Sequence, residues 1–201
     1  MRNVGLYCLL FIIVFSTSFL VSGQGRESTE IKRIDAYSKS VDAFVKKNEK
    51  PHLIFADISR NAKPKWRKFA STDSLEKFRE STETYIIANN WMQNGKIVLS
   101  VFTLFSESGD WAKYVYSYFR QDGTLAKAET DYRTFYGDFV YLENSYFGAK
   151  GKLLAKTAEF KDLDRKPKMP DKDDLKENAH IMNAVDYYKS VGKLPYAHLV
   201  R

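Results

Sequence analysis

The chain has 201 residues, 44% of them hydrophobic and 28% charged, and carries a net charge of +7 from 32 basic and 25 acidic side chains. This length supports one hydrophobic core in one domain, and the apolar content is too high for a disordered chain. The basic excess is compatible with nucleic acid, but the N-terminus argues that partner away.

Residues 1–23 read MRNVGLYCLLFIIVFSTSFLVSG: one arginine at position 2, an apolar run from Val4 to Phe15, then small and hydroxyl residues ending in Val21-Ser22-Gly23. This is the layout of a secretory signal peptide, with cleavage expected before Gln24. An uncleaved anchor is the alternative, because Val4–Val21 is close to the shortest spans of about 17 residues. The Ser/Thr-rich second half favours removal, leaving no stable membrane span. The only cysteine, Cys8, lies in the apolar run, so residues 24–201 form a cysteine-free domain of net charge +6 once Arg2 is removed. An exported domain without disulfides depends on its core, which points to bacterial export, periplasmic or secreted, and to no nucleic-acid partner.

In chain order, the first expected element is a helix over residues 28–47, where Ile31, Ile34, Tyr37, Val41, Phe44 and Val45 form an apolar stripe. HLIFADIS at 52–59 reads as a buried strand. KPKWRK at 63–68, the densest basic cluster, reads as a solvated loop or strand edge, or as a contact for an anionic surface. A short helix is expected over 73–81, with Asp73 and Glu76 at capping-box spacing.

The central segment is organised by glycine. Gly95, Gly109, Gly123, Gly137 and Gly151 stand at a constant step of 14, and SYFRQDGTL at 117–125 returns as SYFGAKGKL at 145–153. Glycine at such positions marks turns that need a positive φ, and NG and DG between apolar residues are hairpin signals. The expectation is an up-and-down antiparallel meander over 83–163 with strands at 83–92, 96–106, 111–121, 124–135, 138–149 and 152–163. Lys96–Phe105 is apolar on both faces and is expected to be covered on both. In the fourth strand Lys127, Glu129, Asp131 and Arg133 alternate with Ala126, Ala128, Thr130 and Tyr132, which predicts one wet face. A charged linker at 164–174 leads to a closing helix over 171–190, terminated by Gly192 and Pro195. The fold class is α+β: a helix, a six- to seven-stranded antiparallel sheet and a C-terminal helix packed on it.

Catalytic signals are weak. His52, His180 and His198 show no metal-ligand spacing, and phosphate loops, nucleophile elbows, HExxH and dinucleotide fingerprints are missing from the sequence. No catalytic, metal or cofactor residue is assigned. Glu129 and Asp131 share a strand face and are the most defensible candidates for hydrolysis, yet their alternation with Lys127 and Arg133 reads as ion pairing. Aromatic density is the more unusual feature, and Trp111, Tyr114, Tyr116, Tyr118 and Tyr132 are the candidate ligand-binding residues. Tyrosine couples a flat apolar body to a polar tip, which suits an amphipathic ligand such as a lipid or a sugar. The alternative is that these rings pack beneath the helices.

The unit Tyr118-Phe119-x-x-x-Gly123-x-Leu125, with its copy Tyr146-Phe147-x-x-x-Gly151-x-Leu153, resembles the hairpins of MORN-like repeat proteins over residues 90–160, with a longer period. Together with KPHLIFADIS, KPKWRKFAS and FTLFSESGDWA, the chain resembles a group of exported bacterial proteins, which implies export and a single domain. In outline the layout is similar to periplasmic lipoprotein carriers of the LolA type. The resulting expectation is an exported, non-enzymatic protein that holds a lipid-like or other amphipathic small molecule on an aromatic sheet face. The alternative is an envelope interaction or inhibitor module that uses a sheet edge or the wet face.

Overall fold

The computed structural model describes residues 5–59 and 63–200, with side chains from Gly25 onward except Arg26. The expected leader, residues 1–23, and its cleavage point thus lie outside the residues described at side-chain level.

The five glycines of the 14-residue series all take positive φ, from 73° to 86°. Each closes a hairpin, and the strands between them are β3 (Ile86–Gln93), β4 (Lys96–Phe105), β5 (Trp111–Phe119), β6 (Leu125–Thr134), β7 (Phe139–Phe147) and β8 (Leu153–Asp162). Two more strands, β1 (Leu53–Asp57) and β2 (Trp66–Phe69), extend the sheet to eight antiparallel strands in the order β2-β1-β3-β4-β5-β6-β7-β8. The expected count of six or seven is therefore one or two short. KPKWRK contributes the edge strand β2, held near β1 because the Asp57 carboxylate accepts the Ser59 and Lys65 N–H groups at 2.9 and 2.8 Å.

The doubled, 28-residue repeat has a structural cause. Trp91 pairs with Leu99 but Met92 with Ile97; Tyr118 with Lys127 but Phe119 with Leu125; Tyr146 with Ala155 but Phe147 with Leu153. One residue is bulged out each time, Val98, Ala126 or Leu154, three positions after Gly95, Gly123 or Gly151. A bulge places neighbouring pairs on chosen faces and adds twist. It lets Leu125 and Lys127, two apart on β6, follow Phe119 and Tyr118 to opposite faces, and repeats that division at Leu153 and Ala155 opposite Phe147 and Tyr146.

Helix α1 (Gly5–Lys47) begins before the expected residue 28 and crosses one face of the sheet near the bulged hairpins. Val41, Tyr37, Phe44 and Val45 cover Trp91, Leu99, Val101 and Tyr118 there. Trp91 Nε1 donates to the Asn48 carbonyl at 2.8 Å, anchoring the helix's end. Helix α2 (Thr72–Arg79) is capped by Ser71, whose hydroxyl accepts from Ser74 N–H while Ser74 Oγ accepts from Ser71 N–H; Asp73 and Glu76 do not form the expected box. The box is made by two serines, each two residues before the expected pair, and serine is short enough to reach the backbone N–H groups there.

The other face is fully used by the C-terminal chain. Helix α3 spans only Lys172–Met182, not 171–190. Beyond it the chain opens into a strap that runs along the β5–β6 hairpin: Leu125 N–H donates to the Lys189 carbonyl at 3.0 Å and Val191 N–H to the Gly123 carbonyl at 2.9 Å. Those bonds need a backbone whose groups are not spent on a helix. Tyr187, Tyr188, Leu194 and Tyr196 then pack on Phe102, Phe119 and Phe147. Gly137 lets α3 approach the sheet, since a Cβ there would lie 2.6 Å from the Asp174 side chain. As expected, β4 is covered on both faces, with Ile97 and Phe102 under the strap and Leu99 and Val101 under α1.

Candidate functional site

Because α1 lies over the bulged ends of the strands, it leaves open the half of its sheet face near the Gly109 and Gly137 turns. Tyr114, Tyr116 and Tyr118 pair with Thr103, Val101 and Leu99 and share this face, as their alternation requires. Their environments differ. Tyr118 is buried under α1, its hydroxyl donating to Asp42 Oδ1 at 2.9 Å and lying 3.4 Å from Glu129 Oε2, and burial pushes its pKa far above the usual tyrosine range. Tyr114 is half-buried beneath the Arg133 guanidinium, 5.0 Å from the ring centre. Tyr116 lies between them, half-buried, on the wall of a groove of about 290 Å³.

The other two predicted residues are elsewhere. Tyr132 pairs with Lys113 and so points to the opposite face, where it is fully buried and its hydroxyl donates to Asn178 Oδ1 of α3 at 2.6 Å. Trp111 is on Tyr132's side, the rings 6.0 Å apart. The five aromatics therefore do not line one surface. Strand parity divides them, and Tyr116, with Tyr114 beside it, is the part that remains open.

Around Tyr116 the groove is lined by Glu129, Asp131, Leu142, Asn144 and Glu159. Leu142, Asn144 and Glu159 carry no sequence signal on their own; β7 and β8 bring them beside β6, because Asp131 pairs with Leu142, Glu129 with Asn144, and Leu142 with Glu159. The carboxylates are held by cations. Asp131 accepts from Arg133 at 3.0 and 2.9 Å and from Arg165 at 2.8 Å; Glu129 meets Lys127 at 2.8 Å; Glu159 meets Lys161 at 2.9 Å. Lys127 is itself buried and also binds Asp35 of α1 at 3.0 Å, so the expected wet face of β6 is wet only toward Arg133. Asp35 and Asp42, seven residues apart beside the apolar stripe, are the helix's contribution; that spacing next to Ile34 and Val41 was the available signal.

Electrostatics separates the carboxylates. Burial would raise the Asp131 pKa, but the Arg133 and Arg165 hydrogen bonds outweigh it and hold the group below its usual value. Asp42 moves the other way, raised by burial against the opposing Tyr118 hydrogen bond. A depressed carboxylate contributes stability above its unfolded pKa, near 3.8, and loses it as pH falls through the lower folded value. Asp131→Asn is accordingly expected to destabilise the protein at neutral pH and to shrink the loss of stability on acidification, read from urea midpoints at a series of pH values. Equal acid sensitivity in both proteins would remove Asp131 from that role.

For hydrolysis the geometry is poor: Asp131 has both oxygens engaged by guanidinium, and Glu129 is engaged by Lys127. For binding it is suitable, offering a ring face, an apolar contact in Leu142, and oxygen and amide groups around them. Among the residues described at side-chain level no three metal-ligating side chains converge, and no helix is long and apolar enough to cross a membrane. No family model matches the chain, and no curated protein or solved structure is significantly similar to it.

Proposed function

We propose that the chain is an exported, non-enzymatic binding protein that holds a small amphipathic ligand of the carbohydrate class against Tyr116. The observation that carries this reading is the open groove beside Tyr116 on the half of the sheet face that α1 leaves uncovered. The C–H face of a pyranose ring stacks on tyrosine, and its hydroxyls satisfy carboxylate and amide groups such as Glu129, Asp131 and Asn144. A lipid chain fits less well, because the apolar surface of the sheet is taken by α1 on one side and by the strap on the other. Export rests on the signal-like residues 1–23 and the cysteine-free remainder.

Native mass spectrometry of the chain purified without detergent, followed by a glycan array, tests the reading. Tyr116→Ala is expected to weaken ligand binding by at least about tenfold, the loss of one stacked ring at roughly 1.4 kcal/mol, with little change in folding. Tyr132→Phe, on the opposite face, is expected to leave binding intact. Equal effects of the two substitutions would count against the groove.

A second reading has its own observation. β8 ends the sheet, and among the described residues its outer edge is hydrogen-bonded at its last residues, where Lys168 N–H donates to the Phe160 carbonyl and Asp162 N–H to that of Lys166. Residues 153–159 present an edge to which an extended segment of an envelope protein could add as a further strand. Stoichiometric capture of one partner, abolished by a proline at an outward N–H of this edge, would favour that function.

A further inference from the structure

A second, wider opening lies away from the Tyr116 groove, where β3 and β4 leave the sheet next to the end of α2. Its two lobes, of about 620 and about 610 Å³, share Arg79, Glu80, Thr82, Glu83, Tyr85 and Glu107. We infer that this cleft is a binding site for an organic cation, an alkylammonium or guanidinium head on an apolar stem.

The argument begins with register. Ile86 pairs with Leu104, and the ladder continues one step outward through the Phe105 N–H to Tyr85 C=O bond at 3.0 Å. Beyond that bond the ladder ends, and Glu83 and Glu107, two residues further along each segment, both line the cleft. Like charges gathered at one site repel. In a chain of net charge +7, where carboxylates have many cations to choose from, Glu80, Glu83 and Glu107 have no ion-pair partner among the described residues. A bound cation relieves that repulsion.

Two further features belong to the lining of the cleft. Thr84, on its wall, is 4% exposed, and its buried hydroxyl has no hydrogen-bond partner among the described residues. Buried polar atoms are rarely left unpaired, and a threonine hydroxyl accepts from an ammonium or guanidinium N–H. The aromatic lining already handles such a group: the Arg79 guanidinium lies 5.5 Å from the Phe105 ring centre while pairing with Glu76 at 3.3 Å. Tyr85 extends the aromatic surface, and the neighbouring Glu83 carboxylate raises the tyrosine's pKa. Carboxylates at the rim, ring faces for the stem and an unpaired acceptor in the wall together match an alkyl cation.

The test is an amide-resolved NMR titration of the intact protein with spermidine and, separately, with a trilysine peptide, at low ionic strength. Saturable shifts confined to Thr84, Tyr85, Ser106 and Glu107 are expected from at least one probe. Removing two of these charges with Glu83→Gln/Glu107→Gln is expected to weaken binding by about tenfold or more, as is raising the salt. Thr84→Val is expected to weaken it several-fold without lowering the thermal midpoint, and Tyr116→Ala to leave it unchanged. Response to spermidine alone identifies a free polyamine, and response to trilysine alone a basic peptide segment; either sustains the cation site. The absence of saturable shifts with both probes, or binding that survives the double glutamine variant, overturns it.

Discussion

Tyr196→Ala is expected to lower stability by about 3–5 kcal/mol, the range for truncating a large buried aromatic. The ring is fully buried, stacked on Phe55 at 4.3 Å and close to Trp66 and Phe102 at 5.0 and 5.8 Å. Its hydroxyl donates to Asn90 Oδ1 and meets Ser100 Oγ, both at 2.8 Å, inside the sheet. Burial raises its pKa far above the ordinary tyrosine value, so the group stays protonated wherever the protein is folded. Tyr196→Phe isolates the polar part: the ring packing is kept, Asn90 and Ser100 lose a partner, and the expected loss is about 1–3 kcal/mol. Urea unfolding followed by circular dichroism measures both. A domain of this size is stable by only about 5–15 kcal/mol, so the alanine variant is expected to sit near its unfolding threshold. A loss below about 1 kcal/mol from Tyr196→Ala would mean that the strap is not part of the core.

Lys113→Ala has the second largest expected effect, about 3 kcal/mol or more, by breaking a buried charge pair. The lysine side chain is 1% exposed, yet it lies on β5 in the middle of the sheet. Its ammonium donates to the Ile181 and Ala184 carbonyls, each at 2.8 Å, and to Asp186 Oδ2 at 2.6 Å. The sheet thus supplies the cation that caps the C-terminal end of α3, where carbonyls lack helical partners and the dipole favours positive charge. Removing it leaves those carbonyls and Asp186 unmatched. Hydrogen exchange is expected to show α3 opening at lower free energy in Lys113→Ala while β4 to β6 keep their protection. Uniform loss across the sheet would instead mean that α3 and the sheet unfold as one unit.

These two residues also show where sequence reasoning reached its limit. The glycine step, the hairpins and the strand spans were legible because turn geometry and the two-residue alternation of strands are local properties. Nothing in the sequence sets Lys113 apart, since its partners lie about seventy residues away. Tyr196 sits past Gly192 and Pro195, where the helix was expected to have ended and nothing local marks a core residue. The tyrosines were rightly seen to alternate on β5, but grouping Tyr132 with them required knowing which residue of β6 faces which residue of β5. That register depends on the bulge at Ala126, one residue that shifts the pairing of the whole strand.

The sequence by itself determined the α+β class, the meander, its turns and the doubling of its repeat, because each depends on φ preference and on apolar periodicity within a few residues. Only the tertiary structure decided that α1 covers half of one face, that the last helix stops at Met182 and becomes a strap, and that Tyr116 alone among the five aromatics lines an open groove. Those outcomes turn on which buried groups find partners across the sheet. Hydrogen bonds such as Leu125 to Lys189 and ion pairs such as Lys127 to Asp35 join segments that no local pattern relates.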